Sequence, residues 1–69
     1  MYGYMKIRFK RTIWVDMEKI RLQEVWEKQF YKWDELDEVE SIEEFNSTAN
    51  IYRKEDVITN VPLDAFERV

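Results

Sequence analysis

The chain has 69 residues, no cysteine, no histidine and a formal net charge of −4, with four Phe, three Trp and four Tyr. A chain this short buries a small share of its surface, so its core depends on large side chains; each buried aromatic ring removes on the order of 150–250 Å² from water. The missing Cys and His exclude disulfides, thiolate nucleophiles, the usual zinc and haem ligands and the side chain that titrates near neutral pH.

Residues 1–4 precede the regular pattern and read as a flexible N-terminal extension. From Met5 the odd positions Ile7, Phe9, Ile13, Val15 and Met17 are apolar, while Lys6, Arg8, Lys10 and Thr12 are polar. Period two predicts a strand with one buried face, and its length predicts a bulge or bend near Lys10 and Arg11. Asp16 follows as a candidate helix N-cap. Leu22, Val25, Trp26, Phe30, Trp33 and Leu36 then fall within about 140° of arc at helical spacing, which predicts an amphipathic helix packed on the sheet. Glu24 and Lys28 are placed for an i,i+4 pair on its wet side. Met17, Ile20 and Tyr31 lie on another side of that helix and, if exposed, are candidates for a dimer contact.

A helix running on to Asn46 would be too long for so small a protein, so a break is expected at residues 38–41. There Ser41-Ile42-Glu43-Glu44 fits a capping box opening a short second helix. Residues 50–53 and 57–61 are β-prone runs flanking Lys54-Glu55-Asp56, a pattern that predicts a hairpin. Pro62 ends the last strand, leaving residues 63–69 as a helical turn or a trailing edge segment. The expected fold is α+β, a single domain over residues 1–69 in the order β-α-(short α)-β-β. Its three-stranded, mostly antiparallel sheet has one face covered by the aromatic-rich helix.

Charge is unevenly distributed. Residues 1–33 hold eight basic and four acidic side chains, residues 34–69 three and eleven, so the halves carry +4 and −8. Seven carboxylates, Asp34, Glu35, Asp37, Glu38, Glu40, Glu43 and Glu44, occur with no basic residue between Lys32 and Arg53. Dense like charge repels itself, and an ordered row of carboxylates can stand in for the phosphates of a nucleic acid. The plain alternative is a solvated, solubilising face. Asp34, Asp37 and Glu38 do not fit a calcium loop, which needs alternating oxygen ligands and a central glycine.

The first strand offers the opposite sign: Lys6, Arg8 and Lys10 on one face, with Trp14 and Tyr4 at its ends. Such a face can hold single-stranded nucleic acid, cations tracking phosphates while rings stack on bases. It is equally the usual dress of an exposed strand, and the net acidity of the chain speaks against a dedicated nucleic-acid binder. Asn46-Ser47-Thr48 matches a glycosylation sequon, which we read as chance. No catalytic residue, metal ligand or cofactor site is expected, because no hydroxyl has a histidine to activate it and so small a chain has little room for a cleft. The longest apolar run is Ile13-Trp14-Val15, far short of the roughly 18 residues of a membrane span, and no signal-peptide core follows the N-terminus, so the expected location is the cytoplasm.

The leading expectation is a non-enzymatic interaction protein that docks its seven carboxylates on a basic groove of a larger protein. A nucleic-acid-binding module using Lys6, Arg8, Lys10 and Trp14 is the second, and a structural homo-oligomer, in its simplest form a homodimer, the third. In size, acidity, aromatic richness and lack of cysteine, though through no motif, the chain resembles small phage-encoded inhibitors of host nucleic-acid enzymes, including anti-CRISPR proteins. That likeness implies an inhibitory role and a viral source.

Overall fold

Alternation of apolar and polar residues governs nearly the whole chain, and in a computed structural model describing residues 4–19 and 26–69 it is expressed as eight β-strands. These are β1 (Met5–Phe9), β2 (Ile13–Lys19), β3 (Trp26–Tyr31), β4 (Leu36–Val39), β5 (Ser41–Phe45), β6 (Thr48–Tyr52), β7 (Asp56–Pro62) and β8 (Phe66–Arg68). A single 3-10 turn, Leu63–Ala65, joins the last two. All pairings are antiparallel, in a three-stranded sheet ordered β4-β1-β8 and a five-stranded sheet ordered β3-β2-β7-β6-β5.

The two sheets are made from the same long rods, bent at a shared corner. Arg8 faces Leu36 and Ile13 faces Tyr31, so the hairpin resumes beyond residues 10–12 after the same number of positions on each strand. On the other flank Phe9 faces Phe66 and Asp16 faces Thr59, again with equal steps. The corner is hydrogen-bonded through: Phe9 N–H donates to Glu35 O at 2.9 Å, Asp34 N–H to Phe9 O at 2.7 Å and Lys10 N–H to Ala65 O at 2.8 Å. Asp34 takes a left-handed backbone there, φ 71°, a region short polar side chains tolerate. Only Glu40 separates β4 from β5, and its N–H donates to Tyr52 O at 2.8 Å. The pairing therefore returns on itself, β2 to β7 to β6 to β5, then through β4 to β1. Ring closure of this kind forces the strands to tilt and bend.

Inside the ring lie Ile7, Phe9, Val15, Tyr31, Val39, Ala49, Ile51, Ile58, Val61, Ala65 and Phe66, all buried, with Met5, Ile13, Ile42 and Leu63 packed against them. Phe9 is the hub: its ring stacks on Tyr31 with centroids 3.9 Å apart and meets Phe66 at 6.5 Å.

This architecture corrects the expected α+β fold. The first strand, its bend after Phe9 and the hairpin of β6 and β7 agree with the sequence reading, and β7 ends on Pro62. No helix covers a sheet among the described residues. Asp16 is not an N-cap; it lies within β2, its carboxylate 2.6 Å from Lys28 Nζ on the facing strand. Phe30, Trp33 and Leu36 do not form a core stripe but point outward, whereas Met17 and Tyr31, offered as a dimer contact, are buried. Ser41 and Glu44 open no helix, because both lie in β5. Ile20, Leu22, Glu24, Val25 and the side chain of Trp26 fall outside the described residues, as does the proposed extension apart from Tyr4.

The reason for the error is physical. Along β3 and β4 the inward row carries Tyr31, Asp37 and Val39, while the outward row carries Phe30, Leu36 and Glu38. An inward acid and outward aromatics blur the period of two, and their spacing then imitates a helix.

Candidate interaction surface

Asp37 can face inward because a cation from elsewhere meets it. Arg53, in the connection after β6, donates from Nη1 to Asp37 Oδ2 at 2.9 Å and to the Tyr31 hydroxyl at 2.6 Å. Its Nε and Nη2 fork Asp56 at 2.6 and 3.0 Å, and Nη2 also reaches Met17 Sδ at 3.1 Å. Tyr31 OH in turn donates to Asp37 at 2.6 Å, and Lys19 Nζ stands 3.8 Å from Asp56. Burial and the hydrogen bond to Asp37 push the Tyr31 phenol well above the ordinary tyrosine range. Burial works against the Arg53 charge, but the bonds to Asp56 and Asp37 outweigh it and hold the guanidinium more firmly protonated than usual. Asp37 thus ties the strands together and offers little to a partner.

The other six expected carboxylates are exposed and sit on strands or turns, not on a helix. Asp34 lies 3.5 Å from Arg8 Nε and Glu44 3.0 Å from Arg68 Nη2. Glu35 accepts from the Lys32 backbone N–H at 2.9 Å, and Glu43 accepts from the Tyr52 hydroxyl at 3.0 Å. That bond to Glu43, and the carboxylate's charge, raise the Tyr52 pKa. Glu35, Glu38, Glu40 and Glu43 form no ion pair among the described residues, so the negative charge left to a partner follows β4 into β5. Outward residues of a strand stand about 6.6–6.8 Å apart.

The basic row is only partly free. Arg8 is committed to Asp34 and Glu67, the latter at 3.4 Å, and Lys6 faces Glu38 across the β1–β4 pair. Lys6 also borders an open depression of about 490 Å³ with Tyr4, Met5, Arg68 and Val69. Lys10 is exposed at the corner and Trp14 is 65% exposed.

What the sequence reading missed is the company Trp14 keeps. Phe30 lies directly opposite it, the two rings 4.8 Å apart on the outer face of the β2–β3 hairpin. Trp33, 68% exposed, follows at the corner, where its backbone N–H donates to Thr12 Oγ1 at 3.0 Å, and Leu36, 53% exposed, continues toward the carboxylates. Alternation from the buried Tyr31 already places Phe30 outward; taking period two past residue 17 would have found it. No family model, curated protein or solved structure matches this chain. The functional reading therefore rests on these residues alone. No helix among the described residues is long and apolar enough to cross a membrane.

Proposed function

We propose that the protein is a non-enzymatic interaction module that docks the outer face of its bent hairpin on a basic surface of a larger protein. Trp14, Phe30, Trp33 and Leu36 make the apolar centre of the contact, and Glu35, Glu38, Glu40 and Glu43 its acidic margin. The observation that carries this reading is that, among the described residues, three large aromatic rings and a leucine are left outside the buried core. Large aromatic side chains in the centre of an interface supply most of its binding free energy, and charges at the rim choose the partner and speed the encounter. A module of this kind seated in a groove that otherwise holds nucleic acid acts as an inhibitor of the enzyme that owns the groove.

A second reading is favoured by the same ring pair. Trp14 and Phe30 have Lys28 in the same outward row and Lys32 two residues further on, a basic and aromatic setting suited to single-stranded nucleic acid. Affinity capture from lysate, with nuclease in one arm, separates the two. Docking on a protein predicts capture that survives nuclease and is lost both in Trp14→Ala/Trp33→Ala and in Glu38→Lys/Glu40→Lys/Glu43→Lys, with far-UV circular dichroism unchanged. Capture undiminished by the charge reversal refutes the acidic margin. Salt-sensitive retention of a single-stranded oligonucleotide, lost with Trp14→Ala, selects the second reading.

A further inference from the structure

We propose that the protein forms a twofold dimer by antiparallel pairing of β3 with β3 of a second copy, with Gln29 on the symmetry axis. Among the described residues the strands at the ends of the two sheets, each with one side locally unpaired despite the continuity of β4 with β5, are β3, β5, β4 and β8. The free N–H and C=O groups of an edge strand take up another strand unless short length, charge, proline or a bulge prevents it. β8 has three residues, two of them charged. β4 and β5 carry Asp37, Glu38, Glu43 and Glu44, with no basic residue in either strand, so a second copy is repelled. β3 is the least guarded of the four. It is six residues long, free of proline, in unbroken register with β2, and its Glu27 and Lys28 cancel. No strand lies on its free side among the described residues.

Self-complementarity then selects the register. When a twofold axis stands normal to a sheet, facing residues point to the same side, so the axis passes through a residue and not between two. An axis at Glu27 or Lys28 sets like charges face to face, and one at Phe30 sets Lys28 against Lys32 of the second copy. At Gln29 the two amides face each other, and Lys28 faces Phe30 of the second copy. The Lys28 ammonium is already held by Asp16 at 2.6 Å, which leaves its aliphatic stem free to lie on that ring. Each outward row across the junction then reads Asp16, Lys28, and Phe30 and Trp14 of the second copy. The two five-stranded sheets become one. This inference stands independently of the docking reading.

Sedimentation equilibrium and a single engineered cysteine test it. The wild-type mass is expected to rise with concentration from 8.6 kDa toward twice that value. Gln29→Lys and Gln29→Glu, each placing like charges on the axis, weaken dimerisation at least tenfold, and an equimolar mixture of the two restores it. The chain has no cysteine, and Cα atoms of facing antiparallel residues lie about 4.5–5.5 Å apart, within the span of a disulfide. Gln29→Cys therefore oxidises to a covalent dimer far faster than Lys54→Cys, placed on the exposed connection before β7. A constant 8.6 kDa at millimolar concentration, a dimer indifferent to Gln29→Lys, or equal cross-linking at the two cysteines overturns the proposal.

Discussion

Replacing Arg53 with methionine keeps most of the side-chain volume but removes the guanidinium that joins Asp37, Asp56 and Tyr31. The two carboxylates stay behind in a site where their side chains are only 21% and 10% exposed. Breaking a buried ion pair by deleting one partner costs about 3–5 kcal/mol, because the remaining charge is left without a counter-ion. Arg53 itself is 19% exposed, and Lys19 remains 3.8 Å from Asp56. Water and that second cation reduce the cost, which we place at about 2–4 kcal/mol. At about 0.05–0.15 kcal/mol per residue, a chain of this length has roughly 3–10 kcal/mol of stability in all, so the variant sits near the edge of folding. Urea denaturation followed by tryptophan fluorescence and far-UV circular dichroism measures the loss; with a slope near ~1 kcal/mol/M the midpoint falls by about 2–4 M. Adding Asp37→Asn and Asp56→Asn to Arg53→Met removes the stranded charges and is expected to recover at least ~1 kcal/mol. A midpoint in Arg53→Met indistinguishable from wild type, or a triple variant no more stable than the single one, would refute the reasoning.

Two further outcomes follow from the same packing. The folded-state pKa of Tyr31 lies above its ordinary value, so the stability contributed by the protonated phenol is complete below pH ~10 and is lost as pH rises beyond it. Urea midpoints should therefore fall above about pH 10 in the wild type and fall less in Tyr31→Phe, with one phenol absent from the absorbance titration at 295 nm until the protein unfolds. Phe9→Ala empties the hub of the ring and is expected to cost about 3–5 kcal/mol, whereas Trp33→Ala, at an exposed position, stays within ~1 kcal/mol. Thermal melts of the two variants distinguish this core from one built on an aromatic helix, in which Trp33 is buried as well and both losses are large.

Several features of the protein follow from local pattern alone. The alternation from Ile7 to Met17, interrupted at Lys10 and Arg11, determines the first long strand and its bend, because two rows of side chains on a pleat need no distant partner to declare themselves. The hairpin after Asn50, the stop at Pro62, the uneven charge of the two halves and the want of histidine and cysteine were equally legible. Tertiary contact decided the middle of the chain. Asp37 is tolerable inside only because Arg53, sixteen positions later, brings a guanidinium to it, and Phe30 is tolerable outside because Trp14, on the facing strand, covers its ring. Each partner comes from a distant segment, and no window the length of a single strand contains both members of either pair. With the inward row partly polar and the outward row partly aromatic, local spacing favoured a helix, and ring closure with those two pairings made the segment a strand.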